Sequence, residues 1–537
     1  MSQRIERSSI TRWFATLILY ALISIALSIL LTKTTEGHNT FNELLRTVAA
    51  PFKSALDTIP IPFFGRFNIS EIMLGSFIAA YLSCLVIHFI LIKLVQRARP
   101  DYLYSSGIKL LKGKRVKKDA SSALKKSRQK AELLLHPDVP LNDKILTGNV
   151  FVTGMQGSGK STIIKSLLLQ LAATKHRLFI FDLKHEYDEF VDKRNTTTLN
   201  VEKMSNKLVW NICHDVTDLS DAASISEALV EDVGGDNQFF TDAAREIIKG
   251  VLLSLMKSTA KWGWGDFSSR LFASREQLYS MLSYAYPPAA MLVEDDNKTT
   301  QSIRAVISTK VGWISSMADS HEKGDRTFSI KQWIEGEPSQ SRQIIFQPFV
   351  KEFSKSKALC NAITSLISAN LLEMADQEEI KTFLVLDELG NLSKLNFLES
   401  FLSLSRSKGG RTIAGTQSLS QLSTIYGEAS STTLLSLFKT HVLLGLGAAG
   451  SSVKQTSEAI GNHRVVSIQR TKSDSGSISL SEQFTDRPIL SPEDIVNIPE
   501  PDEEGVTGYA SIGGRGAIYT LKWPYPTAIR GESRESA

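Results

Sequence analysis

The residues best suited to chemistry form one short run, GMQGSGKS, from Gly154 to Ser161, with Thr162 directly after it. The run fits G-x-x-x-x-G-K-[ST], a turn that wraps phosphate with backbone N–H groups. Gly154, Gly157 and Gly159 give that turn its freedom, and Ser158 and Thr162 complete the phosphate cradle of an ATP site. Lys160 would reach the β- and γ-phosphates, and the Ser161 hydroxyl would ligate Mg²⁺. Such a turn needs an acidic partner. The apolar run Lys381–Leu386 ends in Asp387 and Glu388. Asp387 would hold Mg²⁺ through water, and Glu388 would orient and deprotonate the attacking water. Gln417 closes a further run, Arg411–Gln417, where an amide could sense the γ-phosphate; a plain surface amide is the alternative.

These groups must be held by strands and helices. Asn149–Thr153 has a strand pattern ahead of the glycine turn, and Thr162–Leu169 continues as a helix. Arg177–Asp182 and Arg342–Gln347 have buried-strand patterns, and Asp182 is followed by Lys184, His185 and Glu186. Near the end, Gly508–Ile512 and Ala517–Leu521 suggest a strand pair, while the Ser-rich stretch Ser467–Thr485 reads as a mobile loop. Between the second strand and the acidic strand lies a helical segment. There Phe239, Phe240, Ala243, Ala244, Ile247, Ile248, Val251, Leu252 and Leu255 recur with helical spacing, so one side should be buried. Trp262 and Trp264, with Lys257, Lys261 and Arg270, could stack on a DNA path, although packing at a helix end is the better reading.

The 537 residues exceed what one core usually organises, so two or three domains are expected. With 42% hydrophobic and 22% charged residues, the chain is neither a polytopic transporter nor disordered. The net charge of +5 is mild. Three cysteines without metal-ligand spacing suit a reducing cytosol. Trp13–Leu31 and Ile72–Ile92 are two uncharged runs long enough to cross a bilayer. Lys33-Thr34-Thr35-Glu36 follows the first, where a cleaved signal peptide would show small residues. Basic residues are dense from Lys93 to Lys130, against only Asp101 and Asp119. That bias places both termini in the cytoplasm and the loop 32–71 outside. The basic stretch should meet anionic headgroups, with nucleic-acid phosphate as the second reading.

Taken in order, GMQGSGKS, FIFDLKHEYDEF, DNQFFTDAAREIIKG, FLVLDELGNLSKL and SRSKGGRTIAGTQSLSQLSTIYG, behind a membrane hairpin, resemble the type IV secretion coupling proteins. The resemblance runs from the first span to about Gly461. It implies an α/β, RecA-like P-loop nucleotide-binding domain with an inserted all-α domain, preceded by a two-helix transmembrane hairpin. The division would be a cytoplasmic tail 1–12, the hairpin 13–95 and a basic juxtamembrane linker 96–135. The nucleotide-binding domain would take 136–218 and 326–537, and the insert 219–325. Lys160, Ser161, Asp387, Glu388 and Gln417 fall on the family's nucleotide motifs, and Arg406 falls on the arginine that reaches a neighbouring subunit's nucleotide. The implied protein is an inner-membrane, hexameric ATPase. It would move DNA, in single-stranded form and with a bound relaxase, into a conjugative type IV secretion channel. Effector protein is the alternative cargo. An FtsK-type DNA translocase would want more spans, a long linker and a C-terminal DNA-reading module. A scaffold that binds ATP without turnover would have no use for Glu388.

Overall fold

The computed structural model describes residues 103–527, except 129, 143–148, 201–207, 232–237, 259–260, 322–325, 378, 393, 448–451 and 473–477. The two apolar runs expected to span a membrane, 13–31 and 72–92, lie outside the described residues, as does the loop 32–71. Among the described residues no helix is long and apolar enough to cross a membrane.

Residues 104–465 and 485–527 fall in one compact unit. Its frame is a ten-stranded mixed sheet. In chain order the strands are β1 (Lys109–Lys112), β2 (Val150–Thr153), β3 (Arg177–Phe181), β4 (Thr196–Asn200), β5 (Gln343–Gln347), β6 (Thr382–Leu386), β7 (Gly410–Thr416), β8 (Thr440–Leu443), β9 (Val506–Ile512) and β10 (Ala517–Trp523). They lie side by side in the order β1-β10-β9-β8-β2-β7-β6-β3-β5-β4. From β8 to β4 every neighbouring pair is parallel, whereas β8–β9 and β9–β10 are antiparallel.

The strands read as unbroken apolar runs because both faces of the sheet are covered. Alternate residues of β3 serve separate cores. Leu178 and Ile180 join Val152, Ile163, Leu167 and Val385 on one face, and Phe179 and Phe181 join Phe346, Leu384 and Leu386 on the other. The first face is covered by helix α1 (Lys160–Ala172). The second is covered by α3 (Phe353–Glu373) and by a helical run that includes α2 (Gln238–Ser258).

That helical run occupies Leu219–His321 among the described residues. Its root is a short parallel pair, Leu208–Trp210 with Arg326–Phe328. The Asp215 carboxylate fastens the root by accepting from Trp210 Nε1 (2.6 Å), Ser329 Oγ (2.7 Å), Ile330 N (2.8 Å) and Lys331 N (3.0 Å). Trp264 is fully buried and donates to Trp210 O at 3.1 Å; Trp262 is 6% exposed. The tryptophan pair therefore belongs to the core and does not line a DNA path. Of the periodic residues in α2, Phe239 is the exception. It is 54% exposed, at the margin of the stripe in the first turn, while Ala243 through Leu255 are buried.

Two further differences stand out. The stretch 103–135 carries β1 of the main sheet and a helix, Lys114–Ser127, whose Val116 and Ala120 pack into the core. The Ser-rich segment read as a mobile loop instead forms two long strands, Asn462–Lys472 and Ile478–Pro488, hydrogen-bonded to each other. Residues 466–484 of these arms belong to a separate compact unit. Serine content masked the alternation Ile478-Ser479-Leu480-Ser481, a strand pattern in which every second residue is apolar.

Candidate functional site

In a parallel sheet, function gathers where the strands end, because the loops there converge from neighbouring strands. The glycine turn leaves the end of β2, the acidic pair leaves the end of β6, and Gln417 leaves the end of β7, which lies between them. Gly154 N donates to Thr416 O (3.2 Å) and Met155 N to Gly445 O (2.9 Å), so the turn is tied to the ends of β7 and β8. Gly157 and Gly159 have φ of 81° and 94°, a left-handed backbone that other residues resist. A Cβ on Gly159 would also meet Val506 Cγ2 at 2.5 Å. Ser158 Oγ donates to Met155 O (2.7 Å) inside the turn, and Thr162 N donates to Gly159 O (3.1 Å) as α1 begins.

Lys160 is 6% exposed, and its ammonium donates to Gly154 O at 2.9 Å. The same nitrogen lies 3.3 Å from Glu388 Oε2. Glu388 Oε1 accepts from the backbone N–H of Gln417 at 3.1 Å, so the main chain of Gln417, rather than its amide, meets the glutamate. Burial pulls the Lys160 ammonium below its ordinary value, against the raising influence of Glu388. Gly415 faces Asp387 so closely that a Cβ there would collide with the aspartate's carbonyl oxygen, which is why β7 can pass beside the acidic strand end.

The structure also brings in residues that the motifs did not single out. Asp182, fully buried at the end of β3, accepts from Glu186 N (3.0 Å) and Tyr187 N (3.2 Å) and so shapes the loop after that strand. Glu186 then takes the Ser161 hydroxyl (2.5 Å) and the Lys165 ammonium (2.8 Å). Burial tends to raise the Glu186 carboxyl, but the hydrogen bonds from Lys165 and Ser161 prevail and hold it below its usual value. Tyr187 is fully buried and faces Asp387 and Ser161. Its hydroxyl completes no hydrogen bond there. The sequence showed the apolar strand ending in Asp182 and the run through Lys184, His185 and Glu186 that follows it. Which neighbour that strand would take was not visible.

Arg406 is not brought to this site. It is exposed and precedes the start of β7, whereas the glycine turn and the acids lie beyond the far ends of their strands. A seven-residue strand spans roughly 20 Å, which separates Arg406 from the phosphate turn of its own chain.

The donor set fits Mg²⁺ and nucleotide. Magnesium takes one or two carboxylates, water and phosphate oxygens rather than a protein cage. Among the described residues no three His, Cys, Asp or Glu side chains cluster as such a cage. Burial pushes the Asp387 carboxyl up to about 6, offset only in part by Tyr187 and Lys184. The folded protein therefore holds that proton more tightly than the unfolded chain. The stability this contributes is present below about pH 4 and is lost as pH rises through about 6. An aspartate that holds Mg²⁺ must be ionised, so with Asp387 in that role Mg²⁺-dependent nucleotide affinity would weaken as pH falls below 6. Melting and nucleotide titrations across pH, set against Asp387→Asn, check both slopes; an unchanged slope in that variant would refute the assignment.

The family model described as "Type IV secretion-system coupling protein DNA-binding domain" matches residues 133–511, well over half of the chain. The coupling protein TraD of Escherichia coli (strain K12) is 25% identical over 333 residues, covering 60% of this chain and 45% of that protein. The chain thus matches less than half of that relative's length. Among solved structures, the bacterial conjugative coupling protein TrwBdeltaN70 aligns with a TM-score of 0.67 at 20% identity, covering 80% of this chain and 95% of that one. Plasmid coupling protein TrwB in complex with ADP and Mg²⁺ aligns with a TM-score of 0.65 at 21% identity, covering 81% and 98%. At these identities the structures speak for the fold alone, an α/β architecture built on a mixed sheet. A matched region of this extent, over the strands that carry the phosphate turn and the acids, makes the chain a member of the type IV secretion-system coupling protein family.

Proposed function

We propose that the chain is an inner-membrane-anchored ring ATPase, a hexamer, that uses ATP hydrolysis to drive DNA with its bound relaxase into a conjugative type IV secretion channel. The observation that carries this reading is the meeting of Lys160 and Glu388 at 3.3 Å, beside Asp387 and Ser161, where neighbouring strands of one sheet end. The complexes of plasmid coupling protein TrwB with ADP and Mg²⁺ and with a non-hydrolysable ATP analogue support nucleotide as the ligand here. The family's description as a DNA-binding domain supports DNA as the cargo. Both termini and the ATPase body would lie in the cytoplasm, with the runs 13–31 and 72–92 crossing the membrane.

In this mechanism the turn Gly154–Thr162 binds the phosphates, with Lys160 leaving Glu388 for the β- and γ-phosphate oxygens. Ser161 and Asp387 would hold Mg²⁺, which, when bound, neutralises charge on those oxygens. Released from its lysine, Glu388 orients a water and takes its proton. Gln417 follows the end of the strand between turn and acids, where a change at the γ-phosphate would reach it. Arg406, out of reach of its own site, serves a neighbour's.

The experiment is an ATPase assay of the full-length chain, with and without single-stranded DNA, across protein concentration. Turnover should rise with DNA, rise more than linearly as rings form, and lose its DNA response as salt displaces phosphate contacts. Turnover that ignores both DNA and concentration would overturn the reading.

A further inference from the structure

Glu186 belongs to neither the phosphate turn nor the acidic strand end, yet both of its carboxylate oxygens are engaged there. Ser161 Oγ donates to Oε1 at 2.5 Å, and Lys165 Nζ donates to Oε2 at 2.8 Å. Ser161 and Lys165 stand four residues apart, on one face of α1, so a single carboxylate spans both. Lys165 balances its charge.

A hydroxyl has one proton and two lone pairs. If the Ser161 proton is committed to Glu186, the oxygen's lone pairs turn away from the carboxylate and are free for a cation. Without that acceptor the hydroxyl rotates, and its proton can point where a cation would sit. Ordering a ligand atom through an outer carboxylate is a general device of metal sites.

The glutamate is positioned by more than its two contacts. Its backbone N–H is fixed to the buried Asp182, as is that of Tyr187. His185, just before it, adopts φ of 56°, and its ring nitrogen lies 3.1 Å from Pro348 O. The loop is thus braced from β3 and from the residue after β5 before any ligand arrives.

We propose that Glu186 is a positioning residue of the divalent-cation site, acting through the Ser161 hydroxyl whose proton it accepts. The proposal rests on the nucleotide reading of this site and deepens it.

The test measures affinity of the full-length chain, in detergent, for a fluorescent ADP analogue with and without excess Mg²⁺. In the wild-type protein Mg²⁺ should tighten binding. In Glu186→Gln, which keeps size and packing at a side chain 27% exposed, the single carbonyl oxygen goes to the Lys165 ammonium and the amide NH₂ faces Ser161, so that Mg²⁺ enhancement should fall about tenfold while metal-free affinity holds. Ser161→Ala should also lose the enhancement. The double variant should be no worse than Ser161→Ala alone, because Glu186 works through that hydroxyl. An enhancement in Glu186→Gln equal to wild type overturns the proposal. So does an equal loss of affinity with and without metal, the mark of a merely structural ion pair. If the wild-type protein shows no Mg²⁺ enhancement at all, the nucleotide reading itself falls, and this assignment falls with it.

Discussion

Arg406→Ala is expected to fold, assemble and bind nucleotide like the wild-type chain, and to lose turnover by about 10³-fold. The first half follows from exposure: Arg406 sits in the turn between the helix Leu398–Leu404 and β7, where little packing is lost on truncation. The second half follows from direction. Its own phosphate turn lies beyond the opposite end of the sheet, so any nucleotide it serves belongs to another subunit. A positive charge brought to the transferring phosphoryl group from outside is the most effective single contribution of this kind. Because each site would borrow its arginine, mixtures with wild-type subunits should lose activity more steeply than the mutant fraction. Turnover measured against that fraction decides it. A straight line, or full activity in the pure variant, would return Arg406 to the status of a surface residue.

Lys160→Ala should do two things at once. Under the proposed mechanism it removes the ammonium that binds phosphate, so nucleotide affinity and DNA transfer should be lost. It also strands Glu388, 5% exposed, without the cation 3.3 Å away. An uncompensated buried charge of this kind costs about 3 kcal/mol or more, so the nucleotide-free protein should melt lower. Adding Glu388→Gln should restore much of that stability, since the stranded charge is then gone, and should restore no activity. Glu388→Gln alone should keep nucleotide binding and hydrolyse it about 10²- to 10⁴-fold more slowly. Its lysine remains satisfied in part by Gly154 O at 2.9 Å, and burial already disposes that ammonium to lose its proton. A Lys160→Ala protein that melts with the wild type would contradict the ion pair.

What the sequence shows most clearly is what is encoded locally. The glycine turn, the helix that follows it and the double-acid strand end each lie within about ten consecutive residues, and each stands in the structure within three residues of its expected place. The antiparallel β9 and β10 were equally legible, because apolar alternation and a glycine turn at Gly513-Gly514 suffice. Order in the sheet was not. That β7 runs between the phosphate strand and the acidic strand, and that β3 borders the acidic one, depends on packing over hundreds of residues. The partners of Glu186 and Tyr187 were hidden for that reason: Ser161 and Asp387 follow other strands of the sheet. Composition misled where it competed with periodicity, in the serine-rich arms. Phe239 shows the limit of a helical stripe at a helix end, where the periodicity held but the residue stands 54% exposed.

The most direct measurement is translocation itself. Full-length protein is incubated with single-stranded DNA carrying a biotin–streptavidin block, and displacement of the streptavidin is followed over time. The expected result is displacement that needs hydrolysable ATP and single-stranded DNA and disappears in Glu388→Gln. Streptavidin that stays bound while ATP is consumed would contradict the motor, and leave an ATPase that does not move DNA.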